Sequence, residues 1–150
     1  MEYQHKIIIE LPRDIVAKEL LDPSNYEHWQ KGLQSQELVE GVKGEEGSKT
    51  RLAYSMGNRD IVMTETIVAT DLPRKIRYTY DSSGVWNQIT HTFENTDDGN
   101  THWISHNIFK AESFMMKIFM WIMPGSFKKQ SKIYMEDFKQ FIESKYAAQE

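Results

Sequence analysis

The sequence predicts an α+β fold. A curved antiparallel sheet of about seven strands wraps a long C-terminal helix, and two short helices follow the first strand. Two observations predict it. Across residues 34–110, segments that alternate or are β-branched are separated by turns bearing Gly, Asn, Asp or Pro. Beyond Pro124-Gly125 the period changes. Phe127, Ser131, Tyr134, Phe138, Phe141 and Ile142 recur at spacings of three and four, which places them on one face of a helix over 126–146. Burying one such aromatic side chain is worth roughly 1.5–3 kcal/mol. A bent sheet can receive that stripe, and an apolar cavity is expected between the two.

Each element follows from local chemistry. Residues 3–11 alternate and are rich in Ile, which predicts a strand closed by Pro12. Residues 13–21 set Ile15, Val16, Glu19 and Leu20 on one side of a helix that Pro23 ends. Ser24 is expected to cap a second short helix over 25–29. A strand over 34–40 precedes a turn punctuated by Gly41, Gly44 and Gly47. The strand over 49–56 puts Leu52, Tyr54 and Met56 on one face, and Lys49, Arg51 and Ser55 on the other.

Gly57-Asn58 turns the chain into a β-branched strand over 60–70, and Asp71-Leu72-Pro73-Arg74 turns it again. The strand over 75–80 aligns Ile76, Tyr78 and Tyr80. Strands over 85–95 and 101–110 follow, divided by Asp97-Asp98-Gly99-Asn100. The last of them carries Trp103, Ser105, Asn107 and Phe109 on one face, and His102, Ile104, His106 and Ile108 on the other. Such short turns make an antiparallel meander. Ser126 is expected to cap the final helix. With no repeat, linker or low-complexity segment, one domain over 1–150 is expected.

Bulk properties exclude several classes. A net charge of −4 argues against a general nucleic-acid binder. The chain contains no cysteine, which excludes disulfides, thiolate metal sites and a thiol nucleophile. Residues 1–10 lack the apolar core of a signal peptide. The apolar run over 114–123, interrupted by Lys117, is about half the ~20 residues a membrane span needs. A cytoplasmic protein without stable membrane insertion is expected. Lys128, Lys129 and Lys132 read as a solvated helix face.

Several segments resemble the SRPBCC (START-like, polyketide-cyclase type) superfamily. They are Asn25-Tyr26-Glu27-His28-Trp29; the glycine-marked stretch over 41–48; the strand, Pro-turn, strand segment over 65–78; Asp98-Gly99-Asn100-Thr101; and the helical tail over 114–146. The resemblance spans essentially the whole chain. It implies the helix-grip fold, with a deep pocket for a bulky apolar ligand between the sheet and the last helix. It does not select a function, because the superfamily holds carriers, receptors and cyclases alike.

The candidates for lining that cavity are Tyr54, Met56, Met63, Tyr78, Tyr80, Trp86, His91, Trp103, Phe109, Phe127 and Tyr134. Aromatic and Met side chains suit an apolar ligand, and Tyr hydroxyls can orient its polar end. The competing reading of each is ordinary core packing. Glu65, set in a β-branched strand, is expected to point outward and pair with a cation such as Arg77, because Glu is rarely buried. His91, His106, Glu65 or a tyrosine would move protons in an enzyme of the cyclase or dehydratase kind. The five histidines read as hydrogen-bonded or surface residues, and no metal site or cofactor is expected.

The expected function is non-catalytic binding of a small hydrophobic molecule such as a lipid, an aromatic or a polyketide-like compound. The cyclase or dehydratase is the alternative. A second alternative is a protein-interaction module using the 114–123 segment. That segment has three uses open to it: a wall of the cavity, a homodimer interface, or a surface that touches a membrane.

Overall fold

Turns too short for a crossover force each strand after residue 33 to return antiparallel to the one before. The computed structural model describes residues 1–149. Its strands are β1 (Glu2–Ile9), β2 (Leu33–Glu40), β3 (Lys49–Met56), β4 (Arg59–Asp71), β5 (Lys75–Ser82), β6 (Val85–Asn95) and β7 (Thr101–Ala111). Helices α1 (Arg13–Leu20) and α2 (Tyr26–Trp29) follow β1, with a 3-10 turn over Pro23–Asn25 between them. Helices α3 (Phe114–Ile122) and α4 (Gly125–Ala147) follow β7.

The strands form one antiparallel sheet in the order β1-β7-β6-β5-β4-β3-β2. Consecutive strands β1 and β2 are therefore its two edges. The segment carrying α1 and α2 must cross the whole width of the sheet, and so it closes one end of the hollow.

Strand pairing fixes which side chains face that hollow. Tyr3, Asn107, Ile89, Tyr78 and Ile67 lie opposite one another in one row across five strands. Phe109, Asn87, Tyr80, Glu65 and Thr50 form a parallel row two residues along. Of the residues that share a face on β7, Trp103, Ser105 and Asn107 are buried and Phe109 is half-buried, so that face points inward. On β3 the inward face is the one with Leu52 and Tyr54 buried and Met56 half-buried.

Helix α4 delivers Phe138 into the centre. Its ring meets Trp29 edge-on at 5.5 Å and Trp103 edge-on at 5.4 Å. Met135 and Ile142, a turn to either side, are equally buried. The same helix covers the β1 edge. Lys139 Nζ donates to the Ile8 carbonyl at 2.6 Å, and Glu143 Oε2 accepts the Glu10 N–H at 2.8 Å. The Tyr3 hydroxyl donates to the Phe127 carbonyl at 3.0 Å. The Lys139 and Glu143 bonds occupy backbone groups that an open edge would offer to another chain.

Two expected caps are corrected. Helix α4 begins at Gly125 with Pro124 at its N-cap and no side-chain cap, so Ser126 is already inside the helix. The link from α3 is too short to leave a serine outside the first turn. Ser24 does not cap α2, which has Asn25 at its N-cap and no side-chain cap. Ser24 lies inside the preceding 3-10 turn, where the Asp22 carboxylate caps by accepting from the Ser24 N–H at 3.0 Å and the Ser24 hydroxyl at 2.7 Å. No helix among the described residues is long and apolar enough to cross a membrane.

Candidate ligand pocket

The α1–α2 crossing does not seat fully on the β2 side of the sheet. A pocket of about 590 Å³ remains there. Its walls carry Tyr26 from α2, Leu38 from β2, Thr50 from β3, Glu65 and Ile67 from β4, and Ile76 and Tyr78 from β5. Lys43, Ser48 and Leu72 come from the loops at its rim. The β2–β3 loop is tied to the wall, because Gly47 N–H donates to the Ile67 carbonyl at 2.7 Å and Ile67 N–H returns to the Ser48 carbonyl at 3.1 Å.

None of these lining residues comes from α4. This corrects the expected position between the sheet and the last helix. Phe138, Trp29 and Trp103 fill the space under the middle of α4, and the open volume lies beside them, toward α2 and β2.

Glu65 is the chemical centre of the pocket. It is only 8% exposed, so the expected outward orientation is corrected. Its oxygen Oε2 accepts the Tyr80 hydroxyl at 2.7 Å. Arg77, its expected partner, instead donates from Nε to the Thr90 hydroxyl at 3.1 Å. The reason is parity: Glu65 shares a strand face with Met63 and Ile67. Burial pushes the Glu65 carboxyl up to about 7, and the Tyr80 bond offsets only part of that rise. At neutral pH it is therefore divided between a proton-donating acid and a carboxylate.

Three tyrosines surround it. Burial raises the Tyr26, Tyr78 and Tyr80 hydroxyls well above their ordinary range, and the neighbouring Glu65 charge adds to the effect. The Tyr26 and Tyr78 hydroxyls also interact with each other. All three are thus un-ionised hydrogen-bonding groups near neutral pH rather than bases.

The sequence-derived candidates separate into groups. Tyr78 lines the pocket, and Tyr80 stands behind Glu65. Tyr54 is buried, with its hydroxyl donating to Gln30 Oε1 at 2.5 Å. Met56 and Met63 are half-buried on the inward face. Trp103 is packed into the core, and its Nε1–H donates to His91 Nδ1 at 3.1 Å. Burial lowers the His91 imidazole to about 4, so it is neutral and its Nδ1 is occupied. Phe109 and Phe127 stack at 4.6 Å, and Tyr134 meets Trp29 edge-on at 6.3 Å, under α4 rather than in the pocket.

Trp86 is corrected outright. Its register partners are Asp81 and Lys110, on the outer face, and the Lys110 ammonium sits 5.0 Å from its ring centroid. His106 lies on the outer face too, 2.5 Å from a Glu2 carboxylate oxygen. Among the described residues, no three His, Asp or Glu side chains converge as a metal site. Sequence reasoning passed over Tyr26, Lys43, Ser48 and Leu38. For Tyr26 the signal was its place beside the buried Asn25 and Trp29; for Leu38 it was the strand face it shares with Gln36, which also lines the pocket.

A sheet gripping a long terminal helix, with a partly apolar pocket at one end, narrows the family. The family model described as polyketide cyclase / dehydrase and lipid transport matches residues 1–122. The chain belongs to that family.

Solved structures of this polyketide cyclase/dehydrase-type fold superpose over nearly the full chain. A conserved protein from Geobacillus kaustophilus gives a TM-score of 0.79 at 14% identity, covering 96% of each chain. The Zhui aromatase/cyclase from Streptomyces sp. R1128 gives 0.75 at 15% identity, covering 95% of this chain and 93% of its own. Ginseng major latex-like protein 151 from Panax ginseng gives 0.70 at 14% identity, covering 94% and 96%. At these identities the likeness establishes the SRPBCC-type fold alone. No curated protein matches the chain in sequence.

Proposed function

We propose that this family member binds a small, largely apolar molecule in the pocket beside α2, with one polar group of the ligand placed against Glu65. The observation that carries the reading is Glu65 itself, a buried carboxyl on the wall of a cavity of about 590 Å³. That volume suits a small-molecule ligand. Leu38, Ile67, Ile76 and Leu72 supply apolar surface, while Tyr26 and Tyr78 supply orienting hydroxyls. A protonated Glu65 donates to a ligand carbonyl or ether oxygen; an ionised one accepts from a hydroxyl. Lys43 at the rim favours a ligand whose outer end is anionic or polar.

A second reading has its own support. Glu65 titrates near neutrality, as a general acid or base must. In that reading Glu65 moves a proton in a cyclisation or dehydration of the bound molecule. Binding without chemistry remains the conclusion because the other titratable wall groups, Tyr26 and Tyr78, are held far above neutral pH, and His91 and His106 lie elsewhere.

The test is native mass spectrometry with solvent extraction of wild type, Thr50→Trp and Glu65→Gln. The binding reading expects a reproducible apolar ligand on wild type and markedly less on Thr50→Trp, whose indole takes up part of the pocket opposite Glu65. A wild type that is always empty and ignores apolar fluorescent probes sinks it, as does undiminished ligand on Thr50→Trp. Catalysis expects Glu65→Gln to retain a compound differing from the wild-type ligand by one water or by ring closure. The same compound on both proteins removes the enzyme reading.

A further inference from the structure

The most exposed apolar surface of the molecule lies outside the pocket. No residue of α3 is buried. Phe114, Met115, Trp121 and Ile122 are 76%, 74%, 83% and 63% exposed, and Met123 follows at 51%. The helix is nonetheless fixed in place. The Ser113 hydroxyl caps it by accepting the Met116 N–H at 3.1 Å, and Phe119 packs edge-on against Phe127 of α4 at 5.8 Å. The partly buried Met116, Phe119 and Met120 fall on one side of the wheel. Phe114, Met115, Trp121 and Ile122 fall on the other, with Lys117 at its margin. A rigid helix that presents this much apolar surface marks a contact site.

The charge around it identifies the contact. Between Ser113 and Met135 the chain carries Lys117, Lys128, Lys129 and Lys132, all exposed, and no Asp or Glu. Glu112 and Glu136 bracket the stretch, in a protein whose net charge is −4. An aromatic-tipped apolar face beside a local set of lysines has the composition of a surface that sits in the headgroup region of an anionic bilayer.

We propose that α3 and the first turns of α4 dock on an anionic lipid surface, with Trp121 at the headgroup boundary and the four lysines against lipid phosphates. A second copy of the chain fits less well. A two-fold interface would set the same face against itself, bringing these lysines together with only the bracketing Glu112 and Glu136 to pair them. The inference is independent of what the pocket holds.

Co-sedimentation of the full chain with vesicles tests it, using phosphatidylcholine alone and phosphatidylcholine mixed equally with phosphatidylglycerol. Wild type should pellet with the mixed vesicles at low salt and be released by high salt. Its fluorescence should shift to the blue, because Trp121 is far more exposed than Trp29 or Trp103. Trp121→Glu should abolish binding. Lys128→Gln with Lys129→Gln should weaken it about thirtyfold. Both sites are exposed, and unchanged circular dichroism verifies the fold. The proposal is overturned if wild type ignores both vesicles, or if Trp121→Glu binds as well as wild type. It is also overturned if light scattering shows a dimer that Trp121→Glu dissociates while neither protein binds lipid.

Discussion

The Tyr80 hydroxyl donates to Glu65 Oε2 across 2.7 Å, between residues directly opposite each other on β5 and β4. Among the described residues, that tyrosine is the only hydrogen-bond partner of the Glu65 carboxyl. One neutral donor cannot replace the water a carboxylate loses on burial, so the proton is held far longer than on an exposed Glu.

The first prediction follows from the sign of that shift. Glu65 titrates near 4.5 when unperturbed and about 7 in the fold. Its contribution to stability is full below pH 4.5 and is lost as pH rises through about 7. Glu65→Gln keeps an acceptor for Tyr80 and cannot ionise. Urea unfolding at pH 5 and pH 8 should show the variant gaining about 3 kcal/mol on wild type between the two. Equal differences at both pH values would mean that Glu65 is solvated.

His91 gives a second prediction, of opposite sign. Its imidazole falls from 6.5 to about 4, so its contribution is full above 6.5 and is lost as pH falls toward 4. Between pH 5 and 6 the folded chain binds one proton more at Glu65 and one fewer at His91, so the two slopes oppose. His91→Gln, which still offers Trp103 an acceptor, should reveal a loss of stability with rising pH. Glu65→Gln should reveal a gain. Each slope should approach about 1.4 kcal/mol per pH unit. Denaturation midpoints at pH 5, 5.5 and 6 decide it, and parallel lines for all three proteins would refute the pairing.

The same residues show what the sequence made legible. The strand order after residue 33 was readable because Gly57-Asn58, Gly84 and Gly99 mark turns, and segments between them alternate or, as over 60–70, are β-branched. The terminal helix was readable from the Phe138 stripe. The pocket was not. Its position depends on how the α1–α2 segment crosses the sheet, which no local pattern encodes. The orientation of Glu65 depends on strand face, where a rule about average burial outweighed the parity shared with Met63 and Ile67. Trp86 failed differently: an aromatic beside Asn87 carries no sign of its face until Lys110 is placed opposite it.

A third prediction concerns the clamp between α1 and α4. Glu19 Oε2 accepts Asn25 Nδ2–H at 2.6 Å and Lys145 Nζ–H at 3.0 Å, while Oε1 accepts the Tyr146 hydroxyl at 2.9 Å. Burial pushes the Glu19 carboxyl up, but the three hydrogen bonds outweigh it and hold the group below its usual range. Its contribution is therefore present above the ordinary carboxylate range and lost as pH falls through the lowered value. Glu19→Ala should cost about 2–3 kcal/mol at pH 7, because the buried Asn25 amide and the partly exposed Lys145 and Tyr146 donors all lose this acceptor. Lys145→Ala, a partly exposed partner, should cost about 1 kcal/mol or less. Chemical denaturation of the two variants separates them, and equal costs would assign the clamp to the ion pair alone.

The last prediction isolates one close approach at the base of α3. Gly84 has φ +82°, a left-handed conformation that side chains rarely adopt. A Cβ there would stand 2.6 Å from the Ser113 hydroxyl oxygen. That oxygen caps α3, and the Gly84 carbonyl in turn accepts the Glu112 N–H at 2.8 Å. Gly84→Ala must therefore carry the backbone strain and also displace the cap, together costing about 2–3 kcal/mol. Gly99→Ala is the control: φ is again +82°, yet an added Cβ meets nothing within 4 Å, so only the strain of about 1–2 kcal/mol applies. Ser113→Ala completes the cycle. With the hydroxyl removed the contact left is Ser113 Cβ at 3.2 Å, so Gly84→Ala should cost less than in the wild-type background yet still more than Gly99→Ala. Hydrogen exchange at Met116 and Lys117 should accelerate in every variant that loses the cap. If Gly84→Ala and Gly99→Ala are equally destabilising in the wild-type background, the contact with Ser113 does not hold α3 in place.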